Sequence, residues 1–324
     1  ALAEQGFPVT VVERDEIPGG NLRRLRRLQF DHDPLQLLEQ LLERVERSGQ
    51  VTLLTGAELV RTEGHVGHFR STLRAAGRER TVEHGVIIVA SGARPAAPDG
   101  AFAHGQDPRV MTQLELEQRL DDDPEQTPRR VVMIQCVGSR QGDSPVCSRV
   151  CCTQAVRNAL WLRERDPRAE VTVLYRDVRT YGDRELLYRA ARRQGVRFVR
   201  YEAGRPPEVQ TEGGQLQVRT RELGLDRELL LPADAVVLST GVAPAPGAGE
   251  LSGQLKVPLG ADGFFQEAHM KLRPLDFASD GIFLCGLAHG SKAVEESMAQ
   301  AAGAAGRAAT LLAQQELEVS GEVS

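Results

Sequence analysis

Gly85-Val86-Ile87-Ile88-Val89-Ala90-Ser91-Gly92-Ala93-Arg94-Pro95 is an apolar strand that stops in two small residues and a glycine, with a proline three places on. Such a run predicts a buried strand, and the small residues at its end let the chain pass close to a bound group. The pattern returns at Ala235-Val236-Val237-Leu238-Ser239-Thr240-Gly241. A third strand, Asp280-Gly281-Ile282-Phe283-Leu284-Cys285-Gly286, also closes on glycine and leads into an alanine-rich helix over 294–312. Two nucleotide-fold domains, one inserted in the other, produce this weak internal repeat.

The intervening sequence agrees. Residues 34–48 have the apolar spacing of an amphipathic helix, 51–54 read as a strand, and 64–82 alternate as hairpin strands. Residues 96–130, rich in Pro, Gly and Asp with a short helix near 112–120, read as the linker into a second domain. Strands at 131–135, 171–175 and 196–199 then alternate with helices at 154–163 and 186–193, followed by a hairpin pair at 208–231. The expected class is therefore α/β, with two Rossmann-like doubly wound domains, the second inserted in the first. The boundaries are 1–127 and 245–324 for the outer domain and 128–244 for the inserted one.

The N-terminal end reads as the close of a helix, a turn at Gly6, and a buried strand Pro8-Val9-Thr10-Val11-Val12 ending in Glu13. In a Rossmann unit a Gly-rich phosphate loop precedes that helix, and the acid ending the second strand takes the ribose hydroxyls. Glu13 stands in the acid's place; the loop would lie before Ala1. Gly19-Gly20-Asn21 follows, a turn where paired glycines let backbone approach a flat ligand. The chain opens in mid-pattern without methionine, so it reads as a core segment of a longer polypeptide.

A 324-residue chain with 41% hydrophobic and 26% charged residues is ordinary globular material for two cores. A net charge of −5 gives no nucleic-acid surface, and no apolar run approaches the roughly 20 residues of a membrane helix. Of five cysteines, four crowd between Cys136 and Cys152, with Cys285 apart. Clustering of this kind suits a metal or redox site in a reducing, cytoplasmic setting rather than a secreted disulfide framework.

The inserted domain opens Val131-Val132-Met133-Ile134-Gln135-Cys136-Val137-Gly138-Ser139-Arg140, with no Gly-rich phosphate loop after the strand. Cys136, Cys147, Cys151 and Cys152 take its place. Cys147 and Cys151 are four apart and share a face if helical. At a helix N-terminus near Arg140 and Arg149 their thiolates are expected to have lowered pKa values and to ligate well. Four thiolates suit zinc or an iron–sulfur cluster; the spacing itself does not choose between them. Free buried cysteines or a redox disulfide are the plainer readings, although vicinal Cys151-Cys152 is a poor bridge. Cys285 reads as packing, His269 and His289 as structural, and Arg176, Arg179 and Tyr181 as either a partner-docking or cluster-proximal surface or a solvated loop.

The runs Met133 to Arg140, Cys147-Ser148-Arg149-Val150-Cys151-Cys152, Leu174 to Gly182, Asp262-Gly263-Phe264-Phe265-Gln266-Glu267-Ala268-His269 and Lys271-Leu272-Arg273-Pro274 resemble the heterodisulfide reductase A-subunit family. The resemblance implies a thioredoxin-reductase-like core carrying FAD and a [4Fe–4S] cluster, working as an oxidoreductase component of a multisubunit complex. It implies electron-bifurcating members and partners of ferredoxin-like, disulfide-reductase or hydrogenase/dehydrogenase type; a homodimer is a further expectation. Carried over, Cys136, Cys147, Cys151 and Cys152 are the cluster ligands. Glu13, Gly19, Gly20, Asn21, Ala90, Ser91, Gly92 and Gly286 fall on FAD-contacting motifs, and Lys292 and Gln300 lie near the flavin-facing helix. Gly286 would close over the flavin, and the dipole of the following helix would stabilise its reduced form. The chain departs from the archetype in lacking Cys-x-x-Cys ferredoxin runs and the extra cysteine after the Gly-Gly turn. The alternative is a self-contained NAD(P)H-dependent FAD disulfide oxidoreductase, against which stand the missing second phosphate loop and the missing Cys-x-x-Cys pair.

Overall fold

The computed structural model describes residues 1–28, 32–140, 146–224 and 226–314. The chain divides into two compact units. One comprises Ala1–Arg23, Leu35–Arg94 and Pro244–Ser324, the other Arg24–Pro34 and Pro95–Ala243. The described residues hold six α-helices: α1 (Pro34–Arg47), α2 (Gln113–Asp122), α3 (Cys151–Arg165), α4 (Arg184–Arg193), α5 (Ala248–Leu255) and α6 (Val294–Leu312).

The first unit contains two short parallel pairs. Val9–Val12 runs beside Val51–Leu54, and Ile87–Val89 beside Ile282–Leu284. An antiparallel meander of Ala57–His65, His68–Ala75 and Arg78–His84 supplies the third sheet. Pro34 opens α1, where its missing N–H costs nothing, and Arg44 and Arg47 lie in the last turn, where the helix dipole favours cations. The core gathers Phe69, Val89, Phe265, Phe277, Ile282 and Leu284. Ala304 and Ala308 of α6 pack closely on Phe283 and Cys285, which gives Cys285 the packing role expected of it. The composition of the N-terminal strand predicts burial, but Val11 and Val12 are 38% and 39% exposed. The strand pairs on one side only among the described residues.

The second unit is a five-stranded parallel sheet in the order Arg197–Arg200, Glu170–Tyr175, Arg130–Ile134, Ala235–Leu238, Val110–Thr112. One face is covered by α2, α3 and α4 through Leu116, Leu120, Ala155, Ala159, Leu162 and Ala191. The other meets an antiparallel sheet of Glu208–Glu212, Gln215–Glu222 and Arg227–Ala233 through Leu216 and Val218. Where the sequence suggests a hairpin pair, there are three strands. The units also part at 94/95 rather than 127/128, because the 96–130 stretch is more than a linker. Val110–Thr112 joins the parallel sheet, and Thr112 caps α2 in a reciprocal box with Glu115. Beneath α2 and α3, Glu117 is fully buried and accepts hydrogen bonds from Arg157 (3.0 Å), Gln154 (3.0 Å) and the Arg26 amide (3.1 Å).

Candidate functional site

In the second unit, the parallel strand Arg130–Ile134 delivers Gln135 and then Cys136 to its C-terminal end, where open α/β sheets place their ligands. Cys136 leaves the strand with a left-handed φ of +62°, and Arg140 (+59°) and Arg149 (+55°) repeat that conformation around the loop. Non-glycine residues held there mark backbone that its surroundings over-determine. The surroundings are visible. Arg176, buried, donates to the carbonyls of Ser139 (2.6 Å) and Arg140 (3.0 Å). Arg140 forms a 2.6 Å ion pair with Asp177, and its other terminal nitrogen lies 4.0 Å from the Cys136 sulfur. The Tyr201 hydroxyl donates to the Gln135 carbonyl at 2.7 Å.

The remaining cysteines close the loop. α3 starts at Cys151, so Cys147 lies in the segment before it and does not share a helix face with Cys151; the left-handed Arg149 interrupts any helical path between them. The Arg149 amide donates to the Cys147 sulfur at 3.3 Å, and its guanidinium stacks on Tyr181, as does that of Arg184. The Cys152 thiol donates to the Asp177 carbonyl at 3.7 Å. All five cysteines are free thiols, and residues 141–145 of the spacer between Cys136 and Cys147 lie outside the described residues.

The nearby arginines predict lowered thiol pKa values; for two of the four the reverse holds. Burial pushes the Cys151 thiol far up, reinforced by Cys152, Cys136 and Cys147. Burial likewise takes Cys152 up to about 11, opposed by a hydrogen bond from the Arg179 backbone. Desolvation and mutual repulsion of would-be thiolates outweigh the arginines, and Arg140 is engaged with Asp177, whose carboxyl it holds below the usual range. Among the described residues, no group of three or more His, Cys, Asp or Glu side chains is placed to hold a metal ion.

In the first unit several of the remaining predicted residues are linked by hydrogen bonds at the end of the Ile87–Val89 and Ile282–Leu284 pair, whereas Glu13 lies at the end of a separate pair of strands. The Cys285 amide donates to the Val89 carbonyl at 3.1 Å, which sets Gly286 beside Ala90. Asn21 reaches across to donate to the Ala93 carbonyl at 2.8 Å, tying the Gly19-Gly20 turn to the Ser91-Gly92 crossing. Glu13 ends the Val9–Val12 strand and accepts from the Asp15 amide at 3.0 Å. Lys292 is buried and donates to the carbonyls of Gly286 (2.6 Å) and Gly290 (2.7 Å). Gln300 accepts from the Gly286 amide at 3.0 Å. Both therefore shape the Gly286 loop.

This chain is similar to the A-subunit of the H(2):CoB-CoM heterodisulfide,ferredoxin reductase of Methanothermobacter marburgensis, 38% identical over 258 residues that cover 74% of the chain and 39% of the relative. It is equally similar, at 38%, to the second iron-sulfur A-subunit of the CoB–CoM heterodisulfide reductase of Methanopyrus kandleri, over 75% of the chain and 39% of that relative. The chain belongs to the heterodisulfide reductase A-subunit family. It spans about two-fifths of the length of these curated relatives, and no family model matches it. Among solved structures, Lactococcus lactis thioredoxin reductase superposes with a TM-score of 0.64 at 16% identity, covering 96% of the chain and 93% of that structure. The fold is thus the thioredoxin-reductase-like pair of Rossmann domains that the repeat at 86–92 and 235–241 predicts.

This member of the heterodisulfide reductase family leaves its first-unit loops lined by bare backbone. A Cβ added at Gly20 or Gly92 meets nothing within 4 Å, and one at Gly286 meets only Ser297, at 3.8 Å and beyond. Gly19 differs, because a Cβ there would overlap the Leu38 side chain. Gly241 in the second unit is enclosed as well. A side chain there would overlap Ser148 and lie 3.2 Å from the Cys151 sulfur. The Ser-Thr-Gly signature thus also serves as the wall of the thiol site, a role that needs the fold to be seen. The sequence leaves Arg176 as part of a partner-docking or cluster-proximal surface or of a solvated loop; in the fold it anchors the cysteine loop through the Ser139 and Arg140 carbonyls. Asp177 and Tyr201 carry no signal in the sequence, because their partners are far away along the chain.

Proposed function

We propose that this chain is the core of an oxidoreductase subunit that relays electrons between FAD, a [4Fe–4S] cluster and partner redox proteins of a larger complex. The observation that carries it is the placing of Cys136, beside the Arg140–Asp177 pair, and of Cys152, bonded to the Asp177 carbonyl, at the end of the strand where a nicotinamide-binding domain would have its phosphate loop, with Cys147 and Cys151 in the adjoining segment. FAD exchanges electrons in pairs or singly and an iron–sulfur cluster singly, so the two together join two-electron to one-electron chemistry. Cys136, Cys147, Cys151 and Cys152 would hold the cluster and Glu13, Gly20, Ser91, Gly92 and Gly286 the flavin. Four thiolates alone suit zinc as well; the iron–sulfur name of the Methanopyrus kandleri relative favours the cluster.

Donors face two of the sulfurs: the Arg149 amide donates to Cys147 at 3.3 Å, and the Arg140 guanidinium lies 4.0 Å from Cys136. A bound metal would favour the thiolate forms of Cys151 and Cys152, which burial disfavours. The Cys285–Val89 and Asn21–Ala93 bonds hold the three glycine-bearing segments of the first unit at one place. The heterodisulfide chemistry and ferredoxin named for the relatives would belong to partner proteins of the complex.

An anaerobic reductive titration tests this. It should take up about three electrons per chain, two at the flavin bands and one in the broad absorption near 400 nm. Uptake of only the two flavin electrons, with nothing near 400 nm, would defeat the cluster assignment.

A further inference from the structure

The loop that carries Gly286 is held by more than Lys292 and Gln300. His289 bonds Glu267 through Nε2 at 2.8 Å and Gln300 through Nδ1 at 3.0 Å. The direction of every bond in this relay follows from one fixed point. The Gly286 N–H can only donate, so the Gln300 atom facing it at 3.0 Å is Oε1. The Gln300 amide nitrogen therefore faces Nδ1 and donates to it. Nδ1 must be bare, the imidazole proton sits on Nε2, and Nε2–H donates to the Glu267 carboxylate. From the other side, Lys292 donates to the Gly286 carbonyl at 2.6 Å.

We propose that Glu267 and His289 are positioning residues for the cofactor loop: through Gln300 they fix the Gly286 peptide in the orientation that receives FAD. This rests on the FAD reading above. A second proton on His289 would break the relay. Nδ1–H would then confront the Gln300 NH2, Gln300 would have to turn its amide over, and its NH2 would confront the Gly286 N–H. The charged and titratable groups around His289 are Glu267 opposite it and Lys292 on the same turn. Glu295 and Glu296 lie in the first turn of α6, and His269 acts on Glu267. Burial works against ionisation of Glu267, yet bonds from its own amide and from His289 keep its carboxyl below the usual range. It therefore remains the acceptor the relay needs.

The test uses the full chain in three measurements. Imidazole 15N NMR on the wild type near pH 8 should show the Nε2–H tautomer of His289. Titration with FAD should give saturable binding. His289→Leu should weaken FAD by about tenfold, the factor a lost buried hydrogen bond commands, and speed hydrogen exchange at the Gly286 amide. His289→Gln, whose amide can accept from Gln300 and donate to Glu267, should restore both. An Nδ1–H tautomer would overturn the proposal, and that measurement needs no variant to fold. So would His289→Leu with unchanged FAD affinity and unchanged Gly286 exchange. A wild-type chain that takes up no FAD would defeat the electron-transfer reading itself, a distinct result from FAD binding that ignores His289.

Discussion

Gly241→Val is expected to destroy the thiol site and to destabilise the second unit by about 2–5 kcal/mol. Left-handed backbone costs an L side chain roughly 1–2 kcal/mol, and forcing extra carbons into packed space costs about 1–3 kcal/mol more. Gly241 has a φ of +78°, and any Cβ there overlaps the Ser148 side chain and crowds the Cys151 sulfur. The Cys147 to Cys152 segment must move to relieve it, so metal uptake should fall together with the urea midpoint. Gly77→Ala is the control. Its φ is +73° but nothing lies within 4 Å of the added carbon, so it should cost only the conformational strain. Equal losses in the two variants, with metal uptake intact, would show that Gly241 is needed for backbone freedom alone.

Arg157→Leu should cost about 3–5 kcal/mol, the penalty for leaving a buried charge without its partner. Glu117 has no exposed surface, and Arg157 is its cationic side-chain partner at 3.0 Å beneath α3. Gln154 and the Arg26 amide remain, but neutral donors do not replace a guanidinium. The double variant Glu117→Leu/Arg157→Leu should recover much of the loss, because two apolar groups of similar shape need no solvation. Urea unfolding of wild type, single and double variants decides it. A double variant no more stable than Arg157→Leu would mean that the helix packing, rather than the stranded carboxylate, sets the cost.

Much of this fold is legible in residue patterns that report local physics. Apolar runs closed by small residues and glycine locate the Ile87–Val89, Ala235–Leu238 and Ile282–Leu284 strands, apolar spacing locates α1, and alanine richness locates α6. What escapes the pattern is set by distant partners. Val9–Val12 has the composition of a buried strand but lacks a neighbour on one edge among the described residues. Val110–Thr112 is too short to stand out from a Pro- and Gly-rich stretch, and becomes a strand by pairing with Val236, Val237 and Leu238.

The candidate sites divide the same way. The four cysteines announce themselves by crowding. Their loop does not, because Cys136, Arg140 and Arg149 take a backbone conformation that their residue types disfavour. Helical spacing therefore suggests a shared face for Cys147 and Cys151 that the fold does not have. Thiol acidity is misread from nearby arginines for a related reason. Proximity in sequence says nothing of burial, and burial dominates at Cys151 and Cys152. Lys292 and Gln300 stand out by their nearness to a motif, whereas Glu267, twenty-two positions before His289, carries no sequence signal of the pairing.

Whether the four cysteines hold an iron–sulfur cluster is decided by the iron and acid-labile sulfide content of protein purified without oxygen. About four of each per chain, lost on Cys151→Ser, is the expected result. One zinc per chain, with no iron and no sulfide, would contradict it.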